Sequence, residues 1–480
     1  MAKKKSKKML SSFSIILILI FGLGILSHIL PNARFVGDEI VNGSGTVGAS
    51  LSQILMSPIL GFEDAVDVAI FIMVLGGFLA IINRTEAFET GIKVLVQKLK
   101  GRELVLIPIL MLIFSIGGTT YGMLEETVGF YVLLAAAMMA AGMDPLVGSA
   151  VILLGAGSGV LGSTINPFAT GAAISALPEA IKVNQGLIIL IATFLWLTTL
   201  LISIFFVMRY AAKVKADKGS TFLSLREQNA AEKKFGKFSA KMDKEIKLSQ
   251  KQKITLVLFA LTFVVMIVGF IPWGEFGITI FDKFTGWLTG ASLGNWWFYE
   301  AALWFLLMSI VIGIINGMDE AGIVDAFVDG ADDMIGVILV IAVARGASVL
   351  MGVTHLDNYI IYNAANFLSR LPEVLFVPLN YLLHVVLSVL VPSSSGLATL
   401  STPIIGPLSA QLHYNPEVSI MSMVAANGLV NLITPTCGAI MGGLALAKVE
   451  YSTWFRWALK IVITIAIVNI LVLSIFAIIL

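Results

Sequence analysis

The chain has 480 residues, of which 58% are hydrophobic and only 13% are charged, and its formal net charge is +1. Soluble domains hold roughly 25% charged residues, so this composition excludes a soluble globular protein and makes the lipid bilayer the expected solvent. The balanced charge gives no indication of a nucleic-acid partner, and we expect none.

Apolar runs that suit membrane helices recur along the whole chain. A hydrocarbon core of about 30 Å needs about 20 helical residues, and fewer where flanking residues reach the interface. We therefore predict about ten to twelve membrane segments, several of them shortened or broken by Gly and Pro. The first run follows a basic flank and indicates a retained span rather than a cleaved signal peptide. The runs are 15–30, 68–82, 104–116, 147–161, 186–208, 254–271, 301–315, 336–343, 374–390, 418–432 and 457–480.

Clusters of Lys and Arg predict the orientation of the chain and divide it into four regions. Basic loops stay in the cytoplasm, so the basic N-terminus and a polar segment with thirteen basic and five acidic residues are expected on the inner side of a bacterial cell (inner) membrane. The acidic connection 31–67 is expected outside. The predicted regions are a basic cytoplasmic N-terminus (1–10), a first membrane half (11–208), a cytoplasmic linker (209–253) and a second membrane half (254–480).

Both membrane halves are interrupted at matching places. In each half a hydroxyl-rich turn is followed, about forty residues later, by a second break rich in hydroxyl groups and Pro. Paired breaks of this kind are typical of the midplane binding site of secondary transporters, because broken helices expose free N–H and C=O groups. Close helix packing explains one such break equally well, but four in a repeated pattern favour a binding site. The breaks are GGTTYG (117–122), GSTINP (162–167), PSSSG (392–396) and TPTCG (434–438).

Polar side chains at these breaks are the candidate ligands. Hydroxyl and amide oxygens suit either a polar solute or Na⁺. The predicted substrate-binding residues are Thr119, Thr120, Gly122, Glu125, Glu126, Asn166, Ser393, Ser394, Ser395, Gly396 and Thr436. The predicted ligands of a possible Na⁺ are Ser163, Thr164, Asn166, Thr434 and Thr436. Arg345 and Asp357 are secondary candidates.

Two adjacent acids follow the first break. A carboxylate at the bilayer centre costs about 2.5–3.5 kcal/mol on insertion scales, so Glu125 and Glu126 need a reason to lie there. One interpretation is a counter-charge for a cationic substrate, a cation or a proton. The alternative is a pair at the membrane interface that caps the helix predicted at 127–139.

Other charged or distinctive residues allow two interpretations each. Arg345 is suited to bind a carboxylate, and equally to pair with Asp357 or Asp333. His384 either relays protons or is a hydrogen-bonded histidine within a span, which we favour. The acidic stretch 319–333 indicates a solvated amphipathic segment. The segment GSGVLG (157–162) matches a dinucleotide-binding motif outside the required strand–helix context, and no hydrolase motif is present, so we expect no enzyme.

The sequence around the four breaks resembles one transporter family. The segments GGTTYGMLEE (117–126), LGAGSGVLGSTINPFATG (154–171), PSSSG (392–396) and LITPTCGAIMGGLALAKVE (432–450) are similar to the YfcC-type transporters. These are C4-dicarboxylate anaerobic carrier-like proteins of the ion transporter superfamily, and the resemblance extends over residues 11–475.

The resemblance implies an all-α, inverted-repeat membrane fold. Each half would contribute a re-entrant hairpin and a broken helix to a mobile transport domain, carried elevator-like on a scaffold that is usually dimeric. The family includes arginine/ornithine antiporters and dicarboxylate carriers. Related sodium symporters have Ser-Asn-Thr triplets at these tips, and none of the four breaks here is a strict Ser-Asn-Thr.

We expect a secondary active transporter, and we favour an antiporter of basic amino acids because of the paired acids. A sodium- or proton-coupled carrier of C4-dicarboxylates or other organic anions is the alternative. A membrane protein without transport activity is disfavoured by the repeated breaks. The expected partners are a small-molecule substrate, the bilayer and a second copy in a homodimer. No cofactor is expected apart from a possible coupling Na⁺ or H⁺.

Overall fold

The computed structural model describes residues 12–36, 39–41, 43–98, 102–178, 180–236, 247–271 and 273–480. The predicted basic N-terminus (1–10) and residues 237–246 of the predicted linker lie outside these ranges. The described chain is built almost wholly of α-helices. A two-stranded antiparallel hairpin follows the first helix and consists of β1 (Phe35–Val36) and β2 (Glu39–Ile40).

The first half contains nine helices among its described residues. These are α1 (Ser12–Ile29), α2 (Leu51–Asp64), α3 (Val66–Arg84), α4 (Ala87–Lys98), α5 (Leu106–Tyr121), α6 (Phe130–Ala140), α7 (Pro145–Gly162), α8 (Ala172–Ser175) and α9 (Gln185–Ala216). Tight turns join several of them, including a 3-10 turn at Glu125–Gly129 and a π turn at Pro167–Gly171.

The linker and the second half contain the remaining helices of the described ranges. The linker helix is α10 (Leu225–Phe235). The second half comprises α11 (Gln250–Phe270), α12 (Phe298–Ile315), α13 (Glu320–Val353), α14 (Leu356–Leu368), α15 (Glu373–Leu390), α16 (Ser394–Gln411), α17 (Pro416–Val430), α18 (Gly438–Ala447) and α19 (Tyr451–Ile479).

Eight helices of the described chain are long and apolar enough to cross a membrane, and three shorter helices are also apolar. Together with the scarcity of strands, this confirms the predicted all-α, polytopic membrane protein. Many side chains on the outer faces of α1, α9, α11 and α19 are large, hydrophobic and exposed, as is expected of surfaces solvated by lipid.

One order of elements occurs twice. In the first half α5 and α6, here called hairpin 1, are followed by α7, a break, the short helix α8 and the long helix α9. In the second half α15 and α16, here called hairpin 2, are followed by α17, a break, α18 and α19. Helix α7 contacts both arms of hairpin 1, and α17 contacts both arms of hairpin 2. The re-entrant placement of the two hairpins in the bilayer remains a prediction.

The two broken helices start with the same capping chemistry. Asp144 precedes Pro145 and accepts a hydrogen bond from the Val147 amide at 3.0 Å. Asn415 precedes Pro416 and accepts from the Glu417 and Val418 amides. A side-chain acceptor at the N-cap and a Pro at the first helical position satisfy amides that lack intrahelical partners. Both helices therefore begin at a fixed residue and run to a break inside the protein.

Close backbone contact joins α2 and α3 to α13. A Cβ built on Gly61 would lie 2.3 Å from the carbonyl oxygen of Ala342, and one built on Gly76 would lie 2.4 Å from that of Gly330. Only glycine allows such an approach. A close glycine contact also joins hairpin 1 to α7, where a Cβ on Gly118 would lie 2.1 Å from the carbonyl oxygen of Ala156.

The structure refines the two predicted polar connections. The segment predicted as the external connection, 31–67, contains the helix α2, which packs along α13 and is separated from α3 only by Ala65. At the predicted linker, α9 continues to Ala216 and α10 packs against the protein. There, buried Glu227 accepts hydrogen bonds from the Glu450 amide at 2.8 Å and from Thr453 at 3.1 Å.

Candidate functional site

An open cleft of about 690 Å³ lies where the tips of both hairpins meet α3 and α13. A deeper part of about 460 Å³ shares Glu125, Arg345, Ser393 and other lining residues with it. Val68 and Asn431, which are 363 positions apart in the sequence, thus meet at one site. The predicted residues that line it are Gly122, Glu125, Glu126, Asn166, Arg345, Ser393, Ser394, Ser395 and Thr436.

The turn of hairpin 1 places Glu125 and Glu126 at the cleft. Helix α5 ends at Gly122, whose φ of 82° is left-handed, and the Gly122 amide bonds the Gly118 carbonyl at 3.1 Å. Glycine is favoured in this conformation because it has no Cβ. The buried Glu126 carboxylate accepts a hydrogen bond from the Leu124 amide at 3.0 Å and so closes the turn. Glu125 is half-buried and lines both parts of the cleft.

The turn of hairpin 2 presents the start of a helix. Ser393 caps α16 by accepting from the Gly396 amide at 3.2 Å, and Gly396 itself lies just beyond the cleft lining. The first amides of a helix lack intrahelical partners and carry a partial positive charge. The tip formed by Ser393, Ser394 and Ser395 therefore offers N–H and hydroxyl donors to an anionic group in the cleft.

Two asparagines one helical turn apart hold this tip in place. The Ser394 hydroxyl donates to Asn427 Oδ1 at 2.7 Å. Asn431 Nδ2 donates to the Pro392 carbonyl and to Asn427 Oδ1, both at 3.0 Å. Asn431 also lines both parts of the cleft, and its buried Oδ1 has no partner among the described residues. These two residues were missed by the sequence analysis, although two Asn at i and i+4 in an apolar helix are a usable signal.

The predicted Na⁺ ligands form one hydrogen-bonded group in each half. Ser163, Thr164 and Asn166 lie at the break after α7, where Asn166 Nδ2 donates to Ser163 Oγ at 2.9 Å. Thr434 and Thr436 lie at the break after α17, with their hydroxyl oxygens 2.7 Å apart. Thr164 is the exception within these groups, since its hydroxyl donates to the Thr119 carbonyl at 3.2 Å. A bound Na⁺ remains a prediction.

The two threonines of the first break have different surroundings. Thr119 Oγ1 lies 3.1 Å from Thr164 Oγ1 and accepts from the Thr164 amide at 3.1 Å, so it joins hairpin 1 to the break after α7. Thr120 donates to the carbonyl of Ile116 in its own helix at 2.7 Å. Neither threonine lines the cleft, and a substrate-binding role for them has no support from this geometry.

Arg345 lines the cleft, but its ion pair differs from the expected ones. Its Nη1 lies 3.5 Å from Oδ2 of Asp64, at the end of α2. Neither Asp357 nor Asp333 is its partner in this pair. The reason is that α2, within the connection 31–67 that is predicted outside, packs along α13 and brings Asp64 to Arg345.

The remaining polar candidates lie away from the cleft. Asp357 accepts from the Asn358 amide at 2.7 Å, in the first turn of α14. His384 is buried, with Nδ1 2.8 Å from the Asn380 carbonyl and Nε2 2.6 Å from Ser401 Oγ. This agrees with the favoured interpretation of a hydrogen-bonded histidine within a span.

Hairpin tips, helix breaks and charged side chains converge on one cleft, and the described part of the chain contains eight candidate spans. These features are typical of a membrane carrier. Residues 9–478 match the family model of the C4-dicarboxylate anaerobic carriers. The chain therefore belongs to the C4-dicarboxylate anaerobic carrier family, and it is a multi-pass membrane transporter.

Curated relatives and solved structures are similar over most of the chain. An uncharacterized Haemophilus influenzae protein is 29% identical over 86% of this chain and 75% of its own length. YfcC of Escherichia coli K12, provisionally named a basic amino acid antiporter, is 27% identical over 82% of this chain and 74% of its own length. The solved YdaH transporter of Alcanivorax borkumensis is 13% identical, with TM-score 0.47 and coverage of 97% and 98%. MtrF of Neisseria gonorrhoeae, from a class of antimetabolite efflux pumps, is 18% identical, with TM-score 0.46 and coverage of 99% and 96%.

Proposed function

We propose that this transporter exchanges basic amino acids, such as arginine and ornithine, across the bacterial inner membrane. The observation that carries the proposal is the presence of Glu125 in the same cleft as the N-terminus of α16. The cationic side chain of a basic amino acid would pair with Glu125, and its α-carboxylate would bind at the N-terminus of α16. The provisional name of the Escherichia coli relative points to the same substrate class.

The charge around the cleft favours a cationic substrate over a dianion. Glu125 and Glu126 line it, and Asp67 lies within electrostatic range of Glu125. Among the described residues, Arg345 is the one basic residue in the lining, and it already faces Asp64. A dicarboxylate would bring two more negative charges to a site that has a single cation to receive them. An amino acid with a guanidinium or ammonium side chain offsets the acids instead.

A carrier of C4-dicarboxylates is the second candidate. The name of the family favours it, and so do Arg345 and the helix N-terminus, which are both suited to carboxylates. Coupling to Na⁺ or H⁺ would then accompany uptake.

We infer an elevator-type movement for either substrate, with both hairpins and both broken helices moving against a scaffold that contains α3 and α13. The cleft lies at the boundary between these two groups of helices, which supports the inference. A homodimer with a cytoplasmic N-terminus agrees with the family resemblance and with the distribution of basic residues.

Transport by purified protein in liposomes tests the proposal. We expect labelled arginine to enter vesicles preloaded with ornithine, without a sodium or proton gradient, and to enter empty vesicles poorly. Excess external ornithine should compete, whereas succinate should not. Succinate uptake, or arginine uptake into empty vesicles that requires a sodium gradient, would overturn basic amino-acid exchange.

A further inference from the structure

Arg345 lines the cleft from α13, the helix that also carries Asp329. Asp329, on the same helix, pairs with Arg84 at the end of α3 at 3.1 Å. Sixteen residues of α-helix separate Asp329 from Arg345, which corresponds to about 24 Å. The residues between them are mostly apolar. An arginine that follows so apolar a stretch of helix needs a counter-ion whenever the cleft contains no substrate.

Asp64 supplies that counter-ion in a loose arrangement. The distance between Arg345 Nη1 and Asp64 Oδ2 is 3.5 Å, and the two side chains keep 32% and 48% of their surface exposed. A strong guanidinium–carboxylate pair has shorter contacts of about 2.7–2.9 Å and is often bidentate. The observed pair therefore leaves most of the five guanidinium donors of Arg345 available to another carboxylate.

The neighbouring acids have other roles or other positions. Asp67, one turn further along, accepts from the Val68 amide at 2.8 Å and from Trp297 Nε1 at 2.7 Å. Glu63 precedes Asp64 and is exposed, and the ion pair of Arg345 is with Asp64. Asp64 is thus the acid of this stretch that contacts the cleft arginine.

We propose that Asp64 is an internal competitor that occupies Arg345 in the empty cleft and is displaced by the α-carboxylate of the substrate. Arg345 and the N-terminus of α16 then receive the carboxylate together. The retained negative charge of Asp64 beside them disfavours a second carboxylate, so Asp64 also selects amino acids against dicarboxylates. This inference rests on the proposed exchange of basic amino acids.

The test compares arginine with agmatine, which has the same guanidinium group and lacks the carboxylate. Binding of each is measured on the purified full-length protein, with succinate as a competitor. In Asp64→Asn we expect arginine to bind about two- to fivefold more tightly, because a weak ion pair no longer competes. Agmatine binding should stay unchanged, and competition by succinate should increase.

Two further variants separate competition from general electrostatics. Glu63→Gln removes the same charge one residue away and should leave the arginine-to-agmatine ratio unchanged. Arg345→Gln should lower arginine affinity about 10- to 100-fold, towards that of agmatine, because a charge-assisted carboxylate contact is lost. An unchanged ratio in Asp64→Asn, or equal effects of Asp64→Asn and Glu63→Gln, overturns the inference. Absence of both arginine and agmatine binding in the unmodified protein contradicts the proposed function instead.

Discussion

The two adjacent acids of hairpin 1 have different surroundings although they are neighbours in the sequence. Glu126 is buried and closes its own turn through the Leu124 amide, whereas Glu125 is half-buried and lines both parts of the cleft. The sequence alone left open a substrate ligand and a structural cap for the pair. The geometry is consistent with Glu125 as a substrate ligand and Glu126 as the residue that closes the turn.

We expect Glu125→Gln to lose roughly 2–5 kcal/mol of arginine affinity, because a cationic substrate would lose its counter-charge in the cleft. Glu126→Gln keeps an oxygen that can accept from the Leu124 amide, and we expect a smaller loss of arginine affinity than in Glu125→Gln. Exchange in liposomes and thermal unfolding of both purified variants provide the measurement. Normal transport by Glu125→Gln would remove the main support for a cationic substrate.

At the level of the element, the Thr119 hydroxyl is one of the groups that join hairpin 1 to the break after α7. Thr119→Val leaves the Thr164 amide without its side-chain acceptor, which should destabilise the protein by about 1–3 kcal/mol. Thr120→Val is the matched control, since the Thr120 hydroxyl bonds only to carbonyls of its own helix. The expected result is a lower unfolding temperature for Thr119→Val than for Thr120→Val. Equal unfolding temperatures would show that the Thr119 hydroxyl does not stabilise the contact between hairpin 1 and the break after α7.

The glycine at the end of α5 is required for two separable reasons. A Cβ on Gly122 would be strained by its φ of 82° and would lie 2.8 Å from Asn166 Nδ2. Gly290 has a similar φ of 85° with nothing within 4 Å of the added Cβ. Gly290→Ala should therefore cost only the conformational strain of about 1–2 kcal/mol, and Gly122→Ala should cost more. Unfolding in denaturant compares them, and equal losses would rule out the contact with Asn166.

The elements that could be predicted from the sequence are those defined by short-range chemistry. Runs such as GGTTYG and PSSSG predicted where the helices break, because Gly, Pro and hydroxyl residues interrupt an apolar helix locally. The packing of α2 along α13 could not be predicted in this way. It depends on Gly61 meeting a helix more than 250 residues away, and Asp64 became a partner of Arg345 only through that packing.

At the level of the whole molecule, the docked linker helix and the β-hairpin are expected on opposite sides of the membrane. Lys233 in α10 and Val41 after β2 are both exposed. The distribution of basic residues predicts that a cysteine at Val41 reacts with an impermeant thiol reagent in intact cells, whereas one at Lys233 reacts only after permeabilisation. The single native Cys437 is buried and gives a low background. The reverse labelling pattern would show that the topology is opposite to the predicted one.

The glycine contacts between α2–α3 and α13 have a consequence for measurements of motion. Helices whose backbones touch at several points have no room to slide past each other, so this pair is a fixed frame within the molecule. Spin labels at exposed Leu55 on α2 and Val328 on α13 should keep a constant separation through the cycle. A third label at exposed Ile113 on hairpin 1 would then report any displacement of this hairpin relative to α2 and α13.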